Sequence, residues 1–484
     1  MLRIATYLGN RSLWADEAQL AMNIVERSPR GLLDPLDHAQ AAPIGFLLIE
    51  KLAVSCLGES EWTWRLLPLL AGLGSLVLMP FVARCWLSAS ETAVATWLVA
   101  LSQPLVYYSS EVKQYSSDVL CALLVVWVSQ RALQRKRASM TCVALAGTLA
   151  MCLSHPAAFV CAGSAATLAL WARNARDRSA GIRTAAVVCV WGVCFVALYA
   201  PILLRHSEGA DYLRQFWGSS FPPLPPHALS DLAWPVRSFF GFFNDPAGLG
   251  ASGGASVAFV LGCYAMLRAK RTALALCLFP ALATLLAAAL HLYPFATAVF
   301  TSSYPLQGRL LLFLVPGVCI VVAAGLGWLL RGQPEQARLG WVVAGLILAS
   351  VGGEMATRPA WSVRIHEVRP LVEALAKHVR PDDVVVLNTR ALSTYRYYCH
   401  RLQVSPPAVI KLGGTCLWGE YEQQLLKLPR GARVWLLYAH HPSWYSEQDE
   451  AFVLSVLDRI GQRQHEKKTA GASLYLYTIG SPSS

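Results

Sequence analysis

The sequence has 484 residues, of which 55% are apolar and only 14% are charged. Average soluble domains carry about 25% charged residues, so this composition excludes an ordinary soluble enzyme. Several apolar runs approach the ~20 residues that a helix needs to cross a bilayer. In a membrane protein the net charge of +12 indicates which loops are cytoplasmic, because loops rich in Lys and Arg stay in the cytoplasm. It does not indicate nucleic-acid binding. We therefore predict a polytopic α-helical membrane protein.

The N-terminal segment 1–65 carries an adjacent acidic pair, Asp16 and Glu17, at the predicted start of an amphipathic helix. In one interpretation the two carboxylates only favour the positive end of that helix. In the other, a carboxylate near the membrane surface accepts a proton from a hydroxyl group or binds a divalent cation. The apolar stretch 43–57 is interrupted by Glu50 and Lys51, which makes a full membrane span costly and predicts an interfacial helix.

The central segment 66–356 contains about ten predicted membrane helices. Aromatic and basic residues near their ends are typical of anchors at the headgroup level. Prolines inside four of these runs predict kinks, which membrane bundles tolerate: Pro104, Pro201, Pro280 and Pro316. The predicted spans are 66–87, 91–110, 117–132, 139–154, 157–172, 183–204, 255–268, 273–290, 309–330 and 339–356.

The short loops between these spans alternate in charge. Fourteen basic residues lie on one side, which predicts the cytoplasmic face: Arg84, Arg131, Arg135, Lys136, Arg137, Arg173, Arg176, Arg178, Arg183, Arg268, Lys270, Arg271, Arg331 and Arg338. The opposite short loops hold almost no basic residue apart from Lys113. The alternation predicts that residues 1–65, the long loop 205–254 and everything after 357 are extracytoplasmic. Because no signal-peptide core precedes Asp16, we also expect a further membrane helix upstream of Met1.

The C-terminal residues 357–484 have the pattern of a small extracytoplasmic α/β domain. Buried strands are predicted at 382–390, 432–440 and 473–480, and helices near 366–379, 418–427 and 447–463. This segment has no glycine-rich phosphate loop and no nucleophile elbow, which favours a capping or acceptor-binding domain over a second active site. Cys399 and Cys416 fall here, and a disulfide between them is an open alternative in an extracytoplasmic domain.

Five short motifs follow one another along the chain in a recognisable order. They are LWADEA (13–18), Q-x-x-P (40–43), G-x-x-E-x-x-x-R-L-x-P (58–68), Y-x-x-E-x-K-x-Y (108–115) and GRLLLFLxP (308–316). Over roughly residues 10–330 this order resembles the GT-C superfamily. More narrowly, it resembles the protein mannosyltransferase-like branch with the bacterial aminoarabinose and galacturonic acid transferases of lipopolysaccharide.

The resemblance implies an inverting glycosyltransferase of the bacterial plasma membrane. It implies that a sugar moves from a polyprenyl-phosphate donor to a lipid, glycan or protein acceptor on the outer face. It further implies that Asp16 is the catalytic carboxylate, supported by Glu17, with a divalent cation on Asp16 as one option. The donor phosphate is then bound by Lys113, Arg309 and Tyr115. Further substrate-binding candidates are Gln40, where related transferases often have an acidic residue, Arg65 and Glu111.

Each of these residues also has a purely structural interpretation. Lys113 could pair with Glu111 or Asp118, and Arg309 and Arg65 could anchor helices at the interface. The aromatic and proline-rich stretch 216–246 is either an interfacial loop or a lid over the lipid carrier. Two other histidines that face outward, His155 and His206, are expected to be structural.

Two other functions stay open at this stage. One is a flippase or other transporter of lipid-linked saccharides, and the other is a catalytically silent relative that binds glycolipid. Transporters tend to place charges at mid-membrane and to show internal repeats. The predicted helix interiors here are almost free of charge, which favours chemistry at the membrane surface.

Overall fold

The computed structural model describes residues 1–134, 140–204, 208–250, 253–298, 307–357, 359–404, 407–413, 418–440 and 445–480, with the side chains of 201–204, 208–210 and 445–446 left out. The predictions for His206, Cys416 and the basic residues 135–137 lie outside these ranges. The described chain forms two compact units. The membrane unit comprises Met1–Gly9, Pro29–Cys56 and Arg65–Ser362, and the α/β unit comprises Asn10–Ser28, Leu57–Trp64 and Val363–Ser484.

Helices dominate the described residues. Their bounds are α1 Leu2–Leu8, α2 Ala15–Glu26, α3 Ile44–Leu57, α4 Glu61–Ala83, α5 Ala89–Leu101, α6 Gln103–Tyr108, α7 Tyr115–Leu133, α8 Met140–Leu153, α9 Ala157–Asn174, α10 Arg178–Leu204, α11 Glu208–Phe216, α12 Trp234–Asn244, α13 Gly254–Ala269, α14 Arg271–Ala289, α15 Val315–Leu330, α16 Pro334–Thr357, α17 Arg369–His378, α18 Thr389–Leu402, α19 Trp418–Leu425 and α20 Tyr445–Ile460.

Every predicted membrane span overlaps a helix of the structure, and the polytopic helical fold class is confirmed. Six helical segments of the described chain are long and apolar enough to cross a bilayer by themselves. They begin at Glu61, Tyr115, Arg178, Arg271, Gln307 and Pro334. Three shorter apolar helices, α5, α8 and α13, lie between them. The predicted interfacial stretch 43–57 forms α3.

The four prolines act in two different ways. Pro201 and Pro280 lie within α10 and α14, as expected for kinked spans. Pro104 instead occupies the first turn of α6, after α5 has ended at Leu101, and Pro316 occupies the first turn of α15. Proline lacks the backbone N–H and crowds the preceding turn, so the start of a helix suits it better than the middle. The predicted span 91–110 is therefore two helices.

Glycines allow the central helices of the membrane unit to pack closely. A Cβ added to Gly262 of α13 would lie 1.9 Å from the Val321 carbonyl oxygen of α15, and one added to Gly325 would lie 1.9 Å from the Ala258 carbonyl oxygen. Small residues at such contacts let membrane helices approach through their backbones. α15 continues from a 3-10 helix, Gln307–Leu314, and this combined span is 83% buried. Residue 309 is thus fixed to a rigid core element.

The α/β unit contains a five-stranded sheet in the order β2-β1-β3-β5-β4. The predicted strands are confirmed as β1 Val384–Leu387, β3 Arg433–Ala439 and β5 Ala472–Ile479, and the sequence analysis missed β2 Ala408–Lys411 and β4 Gly461–Thr469. Both missed strands are exposed sheet edges. β2 has only four residues and β4 is almost entirely polar, so neither shows the long apolar run of a buried strand. The end of the third predicted helix, 461–463, belongs to β4 instead.

The acidic-motif segment belongs to the α/β unit. Residues 10–28 and 57–64 pack with residues 363–484, and α2 lies against α18. These unit boundaries differ from the three predicted segments 1–65, 66–356 and 357–484. The difference arises because hydrogen bonds to Glu367 and Tyr398, and one from Arg369, hold the chain just before α2.

Candidate active site

Arg309 is held by two neutral aromatic residues in the membrane unit. Its Nε donates a hydrogen bond to the Tyr115 hydroxyl at 3.1 Å, and its guanidinium carbon lies 4.9 Å from the centre of the Trp217 ring. A cation over an indole face is attracted by the ring quadrupole. These two contacts orient the guanidinium group. Trp217 comes from the long loop 205–254, and the sequence analysis did not single it out.

Asp245, from the same loop, fixes the chain next to Arg309. Its Oδ2 accepts a hydrogen bond from the Gly308 amide at 3.0 Å, and its side chain is fully buried. Burial raises the pKa of Asp245 to about 6, although the Gly308 amide and the Arg309 charge act in the opposite direction. A Cβ on Gly308 would lie 2.5 Å from Asp245 Oδ1, so only glycine permits this approach. No sequence pattern predicts that Asp245 lies next to Gly308.

Lys113 lies in the buried turn between α6 and α7, and its Nζ donates a hydrogen bond to Gln40 Oε1. Lys113 is 4% exposed and Glu111 in the same turn is fully buried. Gln40 follows two non-glycine residues in the left-handed region, His38 at φ 60° and Ala39 at φ 53°. Such conformations persist where the surrounding structure imposes them, and they cluster at functional sites. The structure thus brings two predicted site residues, Gln40 and Lys113, into direct contact.

Three tyrosines link this turn to Arg309. The Tyr107 and Tyr108 rings pack edge to face, as do those of Tyr108 and Tyr115, each pair with centres 5.0 Å apart. We use the term cationic cluster for Lys113 and Arg309 together with the side chains that hold them: Gln40, Tyr115, Trp217 and Asp245.

Two other candidates of the membrane unit, Arg65 and His155, lie outside the cationic cluster. Arg65 near the start of α4 is 1% exposed. An interfacial anchor would keep its charged head in the headgroup layer, so the anchoring interpretation of Arg65 does not fit. His155 shares a hydrogen bond with the Tyr199 hydroxyl at 3.2 Å, as expected for a structural histidine.

The acidic pair itself lies in the α/β unit, at the start of α2. Asp16 is half-buried, whereas Glu17 is fully buried and accepts a hydrogen bond from the Trp14 amide at 3.3 Å. Glu17 therefore caps the N-terminus of its own helix, as a glutamate at the third helical position does in a capping box. Of the two carboxylates, Asp16 is the better candidate for chemistry.

The chain just before Asp16 is anchored at successive polar groups. Ser12 Oγ donates to Glu367 at 2.8 Å, the Leu13 amide donates to the Tyr398 hydroxyl at 2.8 Å, and Arg369 donates to the Asn10 carbonyl at 3.1 Å. The Tyr398 hydroxyl in turn donates to Glu61 at 3.0 Å. We call these contacts the motif anchor. No local motif marks these contacts, since the partners lie more than 300 residues apart in the chain.

Glu61 is the buried charge at the centre of the motif anchor. It is 1% exposed, and its carboxylate forms ion pairs with Arg369 at 3.1 Å and Arg401 at 2.5 Å. A buried carboxylate is tolerated when it is paired and hydrogen-bonded, and removing one partner is then strongly destabilising. The motif anchor is consequently a rigid support for the segment that carries Asp16.

Two aromatic rings flank the acidic motif within the α/β unit. Trp14 packs edge to face on His366, with ring centres 6.4 Å apart. His366 Nε2 hydrogen-bonds the His440 carbonyl oxygen, and burial lowers the pKa of His366 to about 4. The imidazole is therefore neutral at physiological pH.

The residues around Asp16 do not form a ready cage for a metal ion. Within the described ranges, no group of three or more His, Cys, Asp or Glu side chains has the geometry to hold one, and Glu17 is committed to the helix cap. Divalent cations such as Mg²⁺ are bound through one or two carboxylates together with substrate phosphates. The predicted cation on Asp16 stays a prediction, and no step below depends on it.

Comparison with solved structures identifies the fold. Over 98% of its length the chain matches ArnT from Cupriavidus metallidurans in the apo state, with a TM-score of 0.53, 13% identity and 96% of ArnT covered. ArnT bound to undecaprenyl phosphate matches with a TM-score of 0.54, 13% identity and the same coverage of both chains. The Archaeoglobus fulgidus oligosaccharyltransferase AglB, in complex with an inhibitory peptide and a dolichol-phosphate, matches with a TM-score of 0.52 and 10% identity, covering 98% of this chain and 73% of AglB.

The chain has the GT-C glycosyltransferase fold. No protein-family model matches the sequence, and no curated protein matches it. The resemblance drawn from the five short motifs is confirmed at the level of fold, and the architecture is that of a multi-pass membrane protein.

Proposed function

We propose that this protein is an inverting glycosyltransferase that takes a sugar from a polyprenyl-phosphate donor and transfers it to a lipid, glycan or protein acceptor. The reaction takes place on the outer face of a bacterial plasma membrane. The observation that carries the proposal is the cationic cluster, in which Gln40 contacts Lys113, and Tyr115 and Trp217 contact Arg309. The proposal is supported by solved structures of the same fold that contain undecaprenyl phosphate or a dolichol-phosphate.

The cationic cluster suits a phosphate that becomes a leaving group. Breaking the bond between sugar and phosphate leaves negative charge on the phosphate oxygens, and preorganised cations in a water-poor site stabilise that charge. Arginine and lysine form short, charge-assisted hydrogen bonds to phosphate. In this proposal Arg309 and Lys113 lower the energy of the departing polyprenyl phosphate.

Asp16 is the proposed general base. An inverting transfer needs one carboxylate that accepts the proton of the acceptor hydroxyl while the sugar bond breaks. Asp16 is half-buried at the start of α2 on a segment that the motif anchor holds in place. Glu17 has the supporting role of a helix cap.

The test of phosphate binding uses undecaprenyl phosphate as the probe. Arg309→Gln and Lys113→Gln should each weaken its binding to the purified full chain by about tenfold or more, since each removes one charge-assisted contact. Arg237→Gln is the matched control, because Arg237 in α12 is exposed and bonds the Ser230 carbonyl. Equal binding by the wild type and both variants would contradict the proposed phosphate site.

The test of transfer compares envelope glycolipids by mass spectrometry. Cells that carry wild-type protein should contain a glycosylated product that is absent with Asp16→Asn, at equal protein levels in the membrane. Glu26→Gln, at the exposed end of the same helix, should keep the product. A glycolipid profile that is unchanged when the whole gene is removed would refute the glycosyltransferase. Movement of the lipid-linked saccharide across vesicles without transfer would instead favour the flippase alternative.

A further inference from the structure

A second concave site lies in the membrane unit where α9 ends and α10 begins. Its cavity volume is about 710 Å³, within the range of about 300–1,000 Å³ that is usual for small-molecule sites. Three arginines line one part of it, and apolar residues of α10 line the other. The residues that matter are Arg173, Arg176 and Arg178 on the basic side and Ile182, Ala185 and Val188 on the apolar side.

The basic side of this cavity carries a clear excess of positive charge. Asp177 is the one acidic residue in its lining, against three arginines, so the lining has a formal charge of 3 − 1 = +2. The Asp177 carboxylate also accepts a hydrogen bond from the Ala180 amide at 2.9 Å, and so caps the start of α10. The cavity is thus electrostatically complementary to an anion.

The helix dipole strengthens this preference. Arg178 is the first residue of α10, and the first turn of that helix contains no acidic residue. Positive side chains at the positive end of a helix are unfavourable, whereas an anion at the same place is stabilised by the dipole. A bound anion would therefore add to the Asp177 cap in offsetting the repulsion between the three arginines and the helix end.

The apolar side of the cavity continues into the exterior of the membrane bundle. Ile182 is 64% exposed and Val188 is 45% exposed, and only 17% of the α10 span is buried within the protein. Such a surface on a membrane-spanning helix is suited to acyl chains. A soluble anion would use the arginines but gain nothing from this apolar wall.

We infer that the cavity between α9 and α10 binds an anionic phospholipid, with the phosphate at Arg173, Arg176 and Arg178 and an acyl chain along Ala185 and Val188. Basic pockets between membrane helices are known to hold anionic headgroups. These arginines belong to the predicted cytoplasmic face of the chain, so the site is separate from the cationic cluster and from the proposed transfer reaction. A stable lipid there would act as a structural partner of the α9–α10 pair.

The test is native mass spectrometry of the full-length protein, purified in detergent and titrated with phosphatidylglycerol or phosphatidylcholine. We expect wild-type protein to retain phosphatidylglycerol in preference to phosphatidylcholine, and the triple variant Arg173→Gln, Arg176→Gln, Arg178→Gln to lose that retention by about tenfold. The matched control removes the same charge from the same predicted face outside the cavity: Arg84→Gln, Arg268→Gln and Arg271→Gln. Equal loss in both triple variants, or no preference in the wild type, would overturn the site.

A second variant separates a lipid from a soluble anion while keeping every charge. Ala185→Phe fills the apolar wall and should weaken retention of phosphatidylglycerol, whereas inorganic phosphate should not displace the lipid. Displacement by inorganic phosphate, or full retention by Ala185→Phe, would mean that the cavity binds a soluble anion and that the inference is wrong. Circular dichroism of each variant confirms that it is folded.

Discussion

The Tyr398 hydroxyl accepts the amide hydrogen of Leu13 at 2.8 Å, and Leu13 lies three residues before Asp16. Tyr398 is fully buried in α18 of the α/β unit, and its hydroxyl donates a hydrogen bond to Glu61 at 3.0 Å. One phenol thus joins the acidic motif to the buried ion pairs of Arg369 and Arg401. We conclude that one role of the C-terminal residues is to fix the backbone that carries Asp16.

Removing the Tyr398 hydroxyl should lower sugar transfer by more than the loss of folded protein can explain. We expect Tyr398→Phe to cost about 1–3 kcal/mol of unfolding free energy, because a buried amide and a carboxylate each lose a partner. Glycolipid formation should fall by about tenfold, since small misplacements of a catalytic group are costly, while binding of undecaprenyl phosphate is unchanged. Hydrogen exchange of the peptide 10–18 should also become faster.

Tyr397→Phe is the control for Tyr398→Phe. The Tyr397 hydroxyl is also buried, but it accepts a hydrogen bond from the Trp64 indole at 2.9 Å and also bonds Glu59, neither of which belongs to residues 10–18. It should lose comparable stability and keep both transfer and slow exchange at 10–18. Should the two variants lose activity in parallel with stability, Tyr398 would be a structural residue only.

Gly308→Ala tests the support of Arg309. The new Cβ would lie 2.5 Å from Asp245 Oδ1 and 2.7 Å from the Pro246 nitrogen, so the 3-10 helix that carries Arg309 must shift. We expect a loss of about 1–3 kcal/mol in unfolding free energy and weaker undecaprenyl phosphate binding. Gly345→Ala, where nothing lies within 4 Å of the new Cβ, should be neutral or slightly stabilising. Wild-type binding by Gly308→Ala would argue against the support role.

Asp245→Asn should change stability in a pH-dependent manner. Burial raises the pKa of Asp245 to about 6 in the folded protein, from about 3.9 in the unfolded chain. The folded protein therefore holds the proton more tightly, and the stability that this proton gives is lost as the pH rises through about 6. The neutral asparagine should raise the unfolding free energy by up to about 3 kcal/mol near pH 7.5 and by little near pH 4.

Thermal unfolding at the two pH values measures this difference for Asp245→Asn, and the asparagine side-chain oxygen can still accept from Gly308. The variant should also bind undecaprenyl phosphate a few-fold more tightly, because one negative charge near Arg309 is gone. A stability change that is the same at both pH values would show that Asp245 acts through packing and not through its charge.

Gln40→Glu tests the neutral partner of Lys113. A carboxylate at this position would form an ion pair with the ammonium group and compete with a donor phosphate for it. We expect undecaprenyl phosphate affinity to fall by about tenfold, and the loss to shrink at high salt because part of the competition is screened. Gln19→Glu, on α2 of the α/β unit, adds the same charge elsewhere and should have no such effect. Tighter binding by Gln40→Glu would contradict the role of Lys113.

Part of the candidate site can be predicted from the sequence, because some of its residues lie within a few positions of one another in short motifs. Lys113 and Tyr115 are two residues apart, and Arg309 stands at the head of an apolar run. Trp217 and Asp245 could not be assigned in this way, since they lie 92 and 64 residues from Arg309 along the chain and no periodicity marks them. Their roles depend on contacts with the 3-10 helix Gln307–Leu314, which form only in the tertiary structure.

The sequence by itself determined the class of the protein, because hydrophobic length and charge placement are set by the solvent that each segment must face. It also determined the three buried strands of the α/β unit, whose apolar runs are continuous. Only the tertiary structure decided that Glu17 caps its own helix, that Gln40 holds Lys113 and that residues 10–28 belong with residues 363–484. Those outcomes depend on buried polar groups finding partners, and such partners can lie anywhere along the chain.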